Sequence, residues 1–85
     1  LHPEAIHVLA ELITLAAKQT QVIIATQSPL LLDNFAIDDI IVAKRKDGAT
    51  IFERLKEEDY NVWLEDYSVG KLWTHDIIHG GTIYE

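Results

Sequence analysis

The chain has 85 residues, 7 basic and 14 acidic side chains, a net charge of −7 and no cysteine, which excludes a disulfide framework and a thiolate zinc site and fits a reducing, cytoplasmic setting. The length allows at most one small domain, and 48% hydrophobic residues exclude intrinsic disorder. No apolar run approaches the ~20 residues of a membrane span, and Leu1-His2-Pro3-Glu4 does not read as a signal peptide. The absence of Met suggests a piece of a longer protein.

Charge is unevenly placed. Residues 1–43 sum to −4, residues 44–56 to +3 and residues 57–85 to −6. The basic stretch (Lys44, Arg45, Lys46, Arg54, Lys56) reads as a solvated hairpin edge, where cations discourage edge-to-edge pairing. An acidic chain with one short basic patch is a poor independent nucleic-acid binder.

The first predicted element is a helix. Pro3 suits a first turn and Glu4 the positive end of the helix dipole. Polar residues at His7, Glu11, Thr14 and Lys18 trace one stripe at helical spacing, and nearly everything else is apolar. Such a helix asks for cover on most of its circumference. The run Gln21-Val22-Ile23-Ile24-Ala25-Thr26 lacks alternation, the pattern of a strand buried on both faces in a parallel sheet. Gln27-Ser28-Pro29 then makes a turn, with Pro29 opening a short helical run, Leu30 to Phe35. Asp47-Gly48 between two β-prone runs predicts a hairpin. Glu57-Glu58-Asp59 supply acids for a further helix start, and Tyr60, Trp63, Leu64 and Tyr67 form an apolar stripe at helical spacing. The fold class expected is α/β.

Three constellations bear on chemistry. Gly70-Lys71 superficially matches a phosphate-binding loop, but the places for the earlier glycine and the magnesium-binding Ser or Thr hold Glu65 and Leu72, so the match fails. His75 and His79, four apart with Asp76 between, have helical metal-ligand spacing, yet no third ligand follows. They read as surface histidines. Thr26-Gln27-Ser28-Pro29 ends the predicted buried strand, where ligands sit in open α/β sheets. On physics alone, Ser28 before Pro29 is a helix cap.

Leu1-His2-Pro3, a helix, and Val22-Ile23-Ile24-Ala25-Thr26-Gln27-Ser28-Pro29 together resemble the C-terminal part of the ABC-type ATPases of the RecF/SMC/OLD-like group, often classed as AAA-family predicted ATPases. The hairpin and the Trp63 to Trp73 stretch resemble the end of the same domains, so the resemblance covers nearly the whole chain. It implies the C-terminal part of a P-loop NTPase domain: helix, buried parallel-type strand, switch turn, β-hairpin and C-terminal helices. It places Leu1, His2 and Pro3 at the D-loop on a nucleotide-sandwich dimer interface, Gln27 at the switch position and Thr26 and Ser28 beside it. Family members commonly carry His where Gln27 stands. Glutamine orients a water but does not exchange a proton near neutral pH.

Residues 1–85 are then expected to be a single incomplete domain, without the phosphate-loop lysine or the magnesium-binding acids. ATP and Mg²⁺ are expected in the intact protein and not on this chain alone, which is expected to be inactive. The resemblance implies DNA repair, chromosome maintenance or defence against phage and plasmids, with DNA met only through the intact protein. The expected partners are the rest of the ATPase domain and further copies of the chain, which would cover its exposed apolar surface. The alternative is a small stand-alone protein-interaction module in which no nucleotide takes part.

Overall fold

The computed structural model describes residues 2–78 in full and residues 81–82 in backbone alone. Helix α1 (Pro3–Ala16) begins on its own start signals: the His2 Nδ1 accepts the Glu4 N–H at 3.1 Å, and Pro3 stands where no N–H is required. After a turn, residues 21–28 have no regular structure. Ser28 then caps α2 (Pro29–Leu32), and a 3₁₀ turn (Ile37–Asp39) leads to β1 (Ile41–Lys46) and β2 (Ala49–Arg54). A second 3₁₀ turn (Glu57–Asp59), α3 (Asn61–Leu64), α4 (Val69–Thr74) and β3 (Gly81–Thr82) complete the order.

The sheet runs β2-β1-β3, with β1 antiparallel to β2 and parallel to β3. The hairpin turns on Asp47 and Gly48, at φ 53° and 79°. Two consecutive residues in the left-handed region make the turn whose twist matches a strand pair, and Asp-Gly is the pair that tolerates it. Pairing of Ile41 with Arg54, Ala43 with Phe52 and Arg45 with Thr50 puts these six on one face, and all six are exposed. Val42, Lys44, Ile51 and Glu53 take the other face, where Val42 is buried and Lys44 Nζ meets Glu53 Oε2 at 3.0 Å.

Two apolar clusters hold the chain together. The larger joins Ile37, Val42, Leu55, Leu72 and Ile78, with Ile40, Tyr60, Leu64, Val69, Trp73 and Ile77 packed around them. The smaller joins Ile6 and Ala10 of α1 to Leu31 of α2, with Phe35 against them. The accessible surface is 6542 Å², against about 5,100 Å² expected for a compact protein of this mass. On α1, Val8, Leu9, Leu12 and Leu15 are exposed, away from the buried Ile6–Ala10 line.

The buried strand expected at Gln21–Thr26 is not formed. No strand pairs with it among the described residues, Ile23 is 85% exposed and Ile24 47%. A run of β-branched residues is stabilised as a central strand only by ladder partners and covering layers, and the described residues supply neither. The single helix expected from the Tyr60 to Tyr67 stripe is likewise only the four-residue α3. Tyr60 and Leu64 turn toward the larger cluster, while Trp63 and Tyr67 pack on each other with ring centroids 6.3 Å apart. The coarse class, helices with a small sheet, is as expected.

Candidate functional site

The sequence 26–29 forms a tied turn. Thr26 Oγ1 accepts the Ser28 N–H at 3.0 Å, and Ser28 Oγ accepts the Leu31 N–H at 3.2 Å, capping α2. The Ser28 and Pro29 carbonyls accept from the Leu32 and Asp33 N–H groups, both at 3.1 Å. Gln27 is exposed between these anchors, and its carboxamide has no hydrogen bond among the described residues. The turn therefore presents one free amide, a donor and an acceptor together.

A second layer braces this turn. Asp33 Oδ1 accepts the Gly70 N–H at 2.6 Å, joining the end of α2 to the start of α4. Gly70 itself is buried, and a Cβ there would strike the Pro29 carbonyl oxygen and Asp33 Oδ1. Glycine is thus required by close backbone approach, not by a phosphate. Ser68 Oγ accepts the Lys71 N–H at 3.2 Å and caps α4.

Contacts between α1 and α2 set where the turn lies. His7 Nδ1 stands 2.8 Å from Asn34 Oδ1 and His7 Nε2 stands 2.9 Å from Glu11 Oε1. With an oxygen facing each ring nitrogen, the doubly protonated imidazolium is favoured: first the Asn34 hydrogen bond and then the Glu11 charge raise the His7 pKa above its ordinary value. The 14 residues of α1 rise about 21 Å, and the stretch 21–28 can span about 26 Å when extended. It thus returns the chain to the half of α1 that packs on α2. Thr26, Gln27 and Ser28 form one turn, and His2 and Pro3 lie at the start of the helix that α2 packs against. His2 Nδ1 is committed to the cap. Leu1 and His79 lie outside the described residues.

The arrangement suits positioning more than capture. Gln27 can hold a water or a phosphate oxygen, with the Thr26 and Ser28 hydroxyl hydrogens still available to donate. The turn carries no lysine, arginine or carboxylate to hold a triphosphate or its cation. Among the described residues no group of three or more His, Asp or Glu side chains is placed to hold a metal ion. The bracing residues Asp33 and Gly70 were not anticipated from sequence. A visible signal was an isolated glycine opening a helical run behind its Ser68 cap. Comparison with known protein families, curated proteins and solved structures finds no match.

Proposed function

We propose that this chain is the C-terminal segment of an ABC-type ATPase domain, supplying the switch turn and the helix that follows the D-loop. The reading rests on the resemblance of Leu1-His2-Pro3 and Thr26-Gln27-Ser28-Pro29 to that family. One structural observation supports it: Leu9, Leu12 and Leu15 of α1 and Ile23 and Ile24 of the unpaired run are exposed, apolar surface of the kind an upstream parallel sheet would cover. Docked in such a sheet, the run becomes a central strand, its β-branched side chains gain a layer on each face, and Gln27 stands at the strand's carboxyl end, where α/β sheets hold ligands.

In that setting ATP with Mg²⁺ supplies the phosphoanhydride to be hydrolysed, held by residues upstream of this chain. Gln27 positions the attacking water through its carboxamide, without taking its proton. Thr26 and Ser28 fix the backbone on either side of Gln27, and the Asp33–Gly70 contact keeps α2 and α4 from drifting. His2 and Pro3 face the partner subunit. The 85-residue chain alone neither binds ATP measurably nor hydrolyses it.

The test is made in the full-length parent. Gln27→Ala should lower kcat at least about tenfold with KM for ATP within about twofold, since a group acting on the attacking water contributes to the transition state more than to ground-state binding. Unchanged kcat would remove Gln27 from the switch. A start codon and ribosome-binding site directly before the Leu1 codon would remove the whole reading. The exposed hairpin face favours the stand-alone interaction module as second reading.

A further inference from the structure

Opposite charges and exposed apolar groups are concentrated at two separate places on this chain. On the outer face of the hairpin, Phe52 is 71% and Ile41 52% exposed, with Ala43 between their rows. Arg45 and Arg54 stand at the two ends of this apolar strip. Their guanidinium groups bond only to backbone carbonyls, Arg45 to Gly48 at 3.1 Å and Arg54 to Asp38 at 2.9 Å. Neither has a carboxylate partner among the described residues. The strip is apolar, cationic at both ends and uncovered.

The second place is the corner built by the second 3₁₀ turn and α3. Val62 is 77% exposed, and Trp63 and Tyr67 are each more than two-fifths exposed. In sequence, residues 57–67 carry five acids (Glu57, Glu58, Asp59, Glu65, Asp66) and no base, and Lys71 and His75 line the hollow beside Trp63 and Tyr67. This corner is apolar, aromatic and anionic.

The two cannot meet within one chain. Tyr60 and Leu64 pack against the larger cluster, which includes Val42 of the hairpin's inner face, so the corner is held on the inner side. The strip is on the outer face, and Val62 is turned out to solvent. We propose that the outer face of the hairpin is the docking surface for the acidic aromatic corner of a second copy of this chain. Because the two surfaces differ, copies join head to tail.

The chemistry of the pairing is specific. Arginine and aromatic groups are the usual anchors at interface centres, and a guanidinium can stack on a Trp or Tyr ring while meeting a carboxylate. Phe52 and Val62 supply apolar area that both copies otherwise leave wet. The overall charge of −7 opposes a polyanion such as nucleic acid, whereas the corner brings its charge together with apolar anchors. The patches are small, so the contact belongs to the weak class below ~1,200 Å². The inference is independent of the nucleotide reading, since it uses neither the Thr26–Ser28 turn nor the outer arc of α1.

Two variants of the full 85-residue chain test it by sedimentation equilibrium, with circular dichroism to check folding. Arg45→Glu with Phe52→Thr removes the strip. Val62→Lys with Glu65→Lys removes the corner. All four positions are exposed, so the fold should be retained. The unmodified chain should associate in a concentration-dependent way, and raising the salt several-fold should weaken that association about tenfold or more. Each variant alone should associate at least about tenfold more weakly. Mixed in equal amounts they should form a two-chain complex and nothing larger, because one brings only a strip and the other only a corner.

A purely monomeric unmodified chain would overturn the proposal, as would association equally strong in both variants. So would a mixture that stays monomeric while the unmodified chain associates. Association through the α1 arc is told apart by its indifference to these four substitutions. If a variant loses its fold, the single changes Phe52→Thr and Val62→Lys take its place under the same readings.

Discussion

In the hairpin half of the molecule, Leu72 and Ile78 are each 1% exposed, and five buried side chains share one cluster with six more packed around them. In the helical half, α1 commits only Ile6 and Ala10 to a cluster of three, while Leu12 and Leu15 of the same helix are each more than half exposed. Apolar content does not separate the halves, since α1 is the more apolar. What differs is whether each apolar side chain has an opposing layer. Val42 of the sheet and Leu72 and Ile78 of the 57–78 segment bury one another in the larger cluster, whereas α1 sets Ile6 and Ala10 against Leu31 and Phe35 and holds Asn34 through His7. Burial is a property of pairs of surfaces, so an apolar helix with one narrow partner keeps most of its surface in water.

The comparison breaks most readily at Leu72. Leu72→Ala should cost about 3 kcal/mol, the cost of a cavity at a fully enclosed leucine, read as a lowered denaturant midpoint. If it costs no more than a surface change, the larger cluster is not the structural centre. Gly70→Ala should come next, at about 2 kcal/mol, because the new methyl group meets backbone at Pro29 and cannot be relieved by a rotamer change. It should also speed hydrogen exchange at α2 and α4 more than at the hairpin. Leu12→Gln should change stability by less than about 0.5 kcal/mol despite removing a leucine from a helix. A larger loss would show that α1's outer arc is covered in solution.

The smallest effect is electrostatic. His7 should titrate by NMR with a midpoint above the ordinary histidine value, and Asn34→Ala should move that midpoint back down. A folded-state pKa above the unfolded one means that the contribution is fully present below pH ~6.5 and fades as pH rises through the folded value. An unchanged midpoint in Asn34→Ala would dissociate α1 from the α2 contact seen at His7.

The elements legible in sequence are those that carry their own local instructions. Asp47-Gly48 dictates a left-handed turn, and the strands on either side pair as expected. Pro3 and Ser28-Pro29 start helices where such residues do. The misses share one cause, a need for partners that local pattern does not reveal. Gln21–Thr26 has the composition of a central strand, yet it has no ladder partner among the described residues. The Tyr60 to Tyr67 stripe has helical spacing, but Tyr60 and Leu64 are drawn to the larger cluster and Trp63 and Tyr67 are not. Within the candidate site, the Thr26-Gln27-Ser28 turn was legible because its hydrogen bonds are local. Its braces, Asp33 and Gly70, are 37 positions apart, and only the folded chain brings them together.

The hairpin also sets the order in which this chain can organise itself. Its ladder joins Ile41 to Arg54 at most, across a two-residue turn, so it closes at little entropic cost and on the timescale of ~1–10 μs. The His7–Asn34 and Asp33–Gly70 contacts span 27 and 37 positions and must wait for longer loops to close. The Ile41–Ala43–Phe52 strip is therefore displayed while the rest of the chain is still collapsing. In that interval Arg45 and Arg54 act as gatekeepers, since a strip bounded by like charges on every copy resists stacking on its own kind.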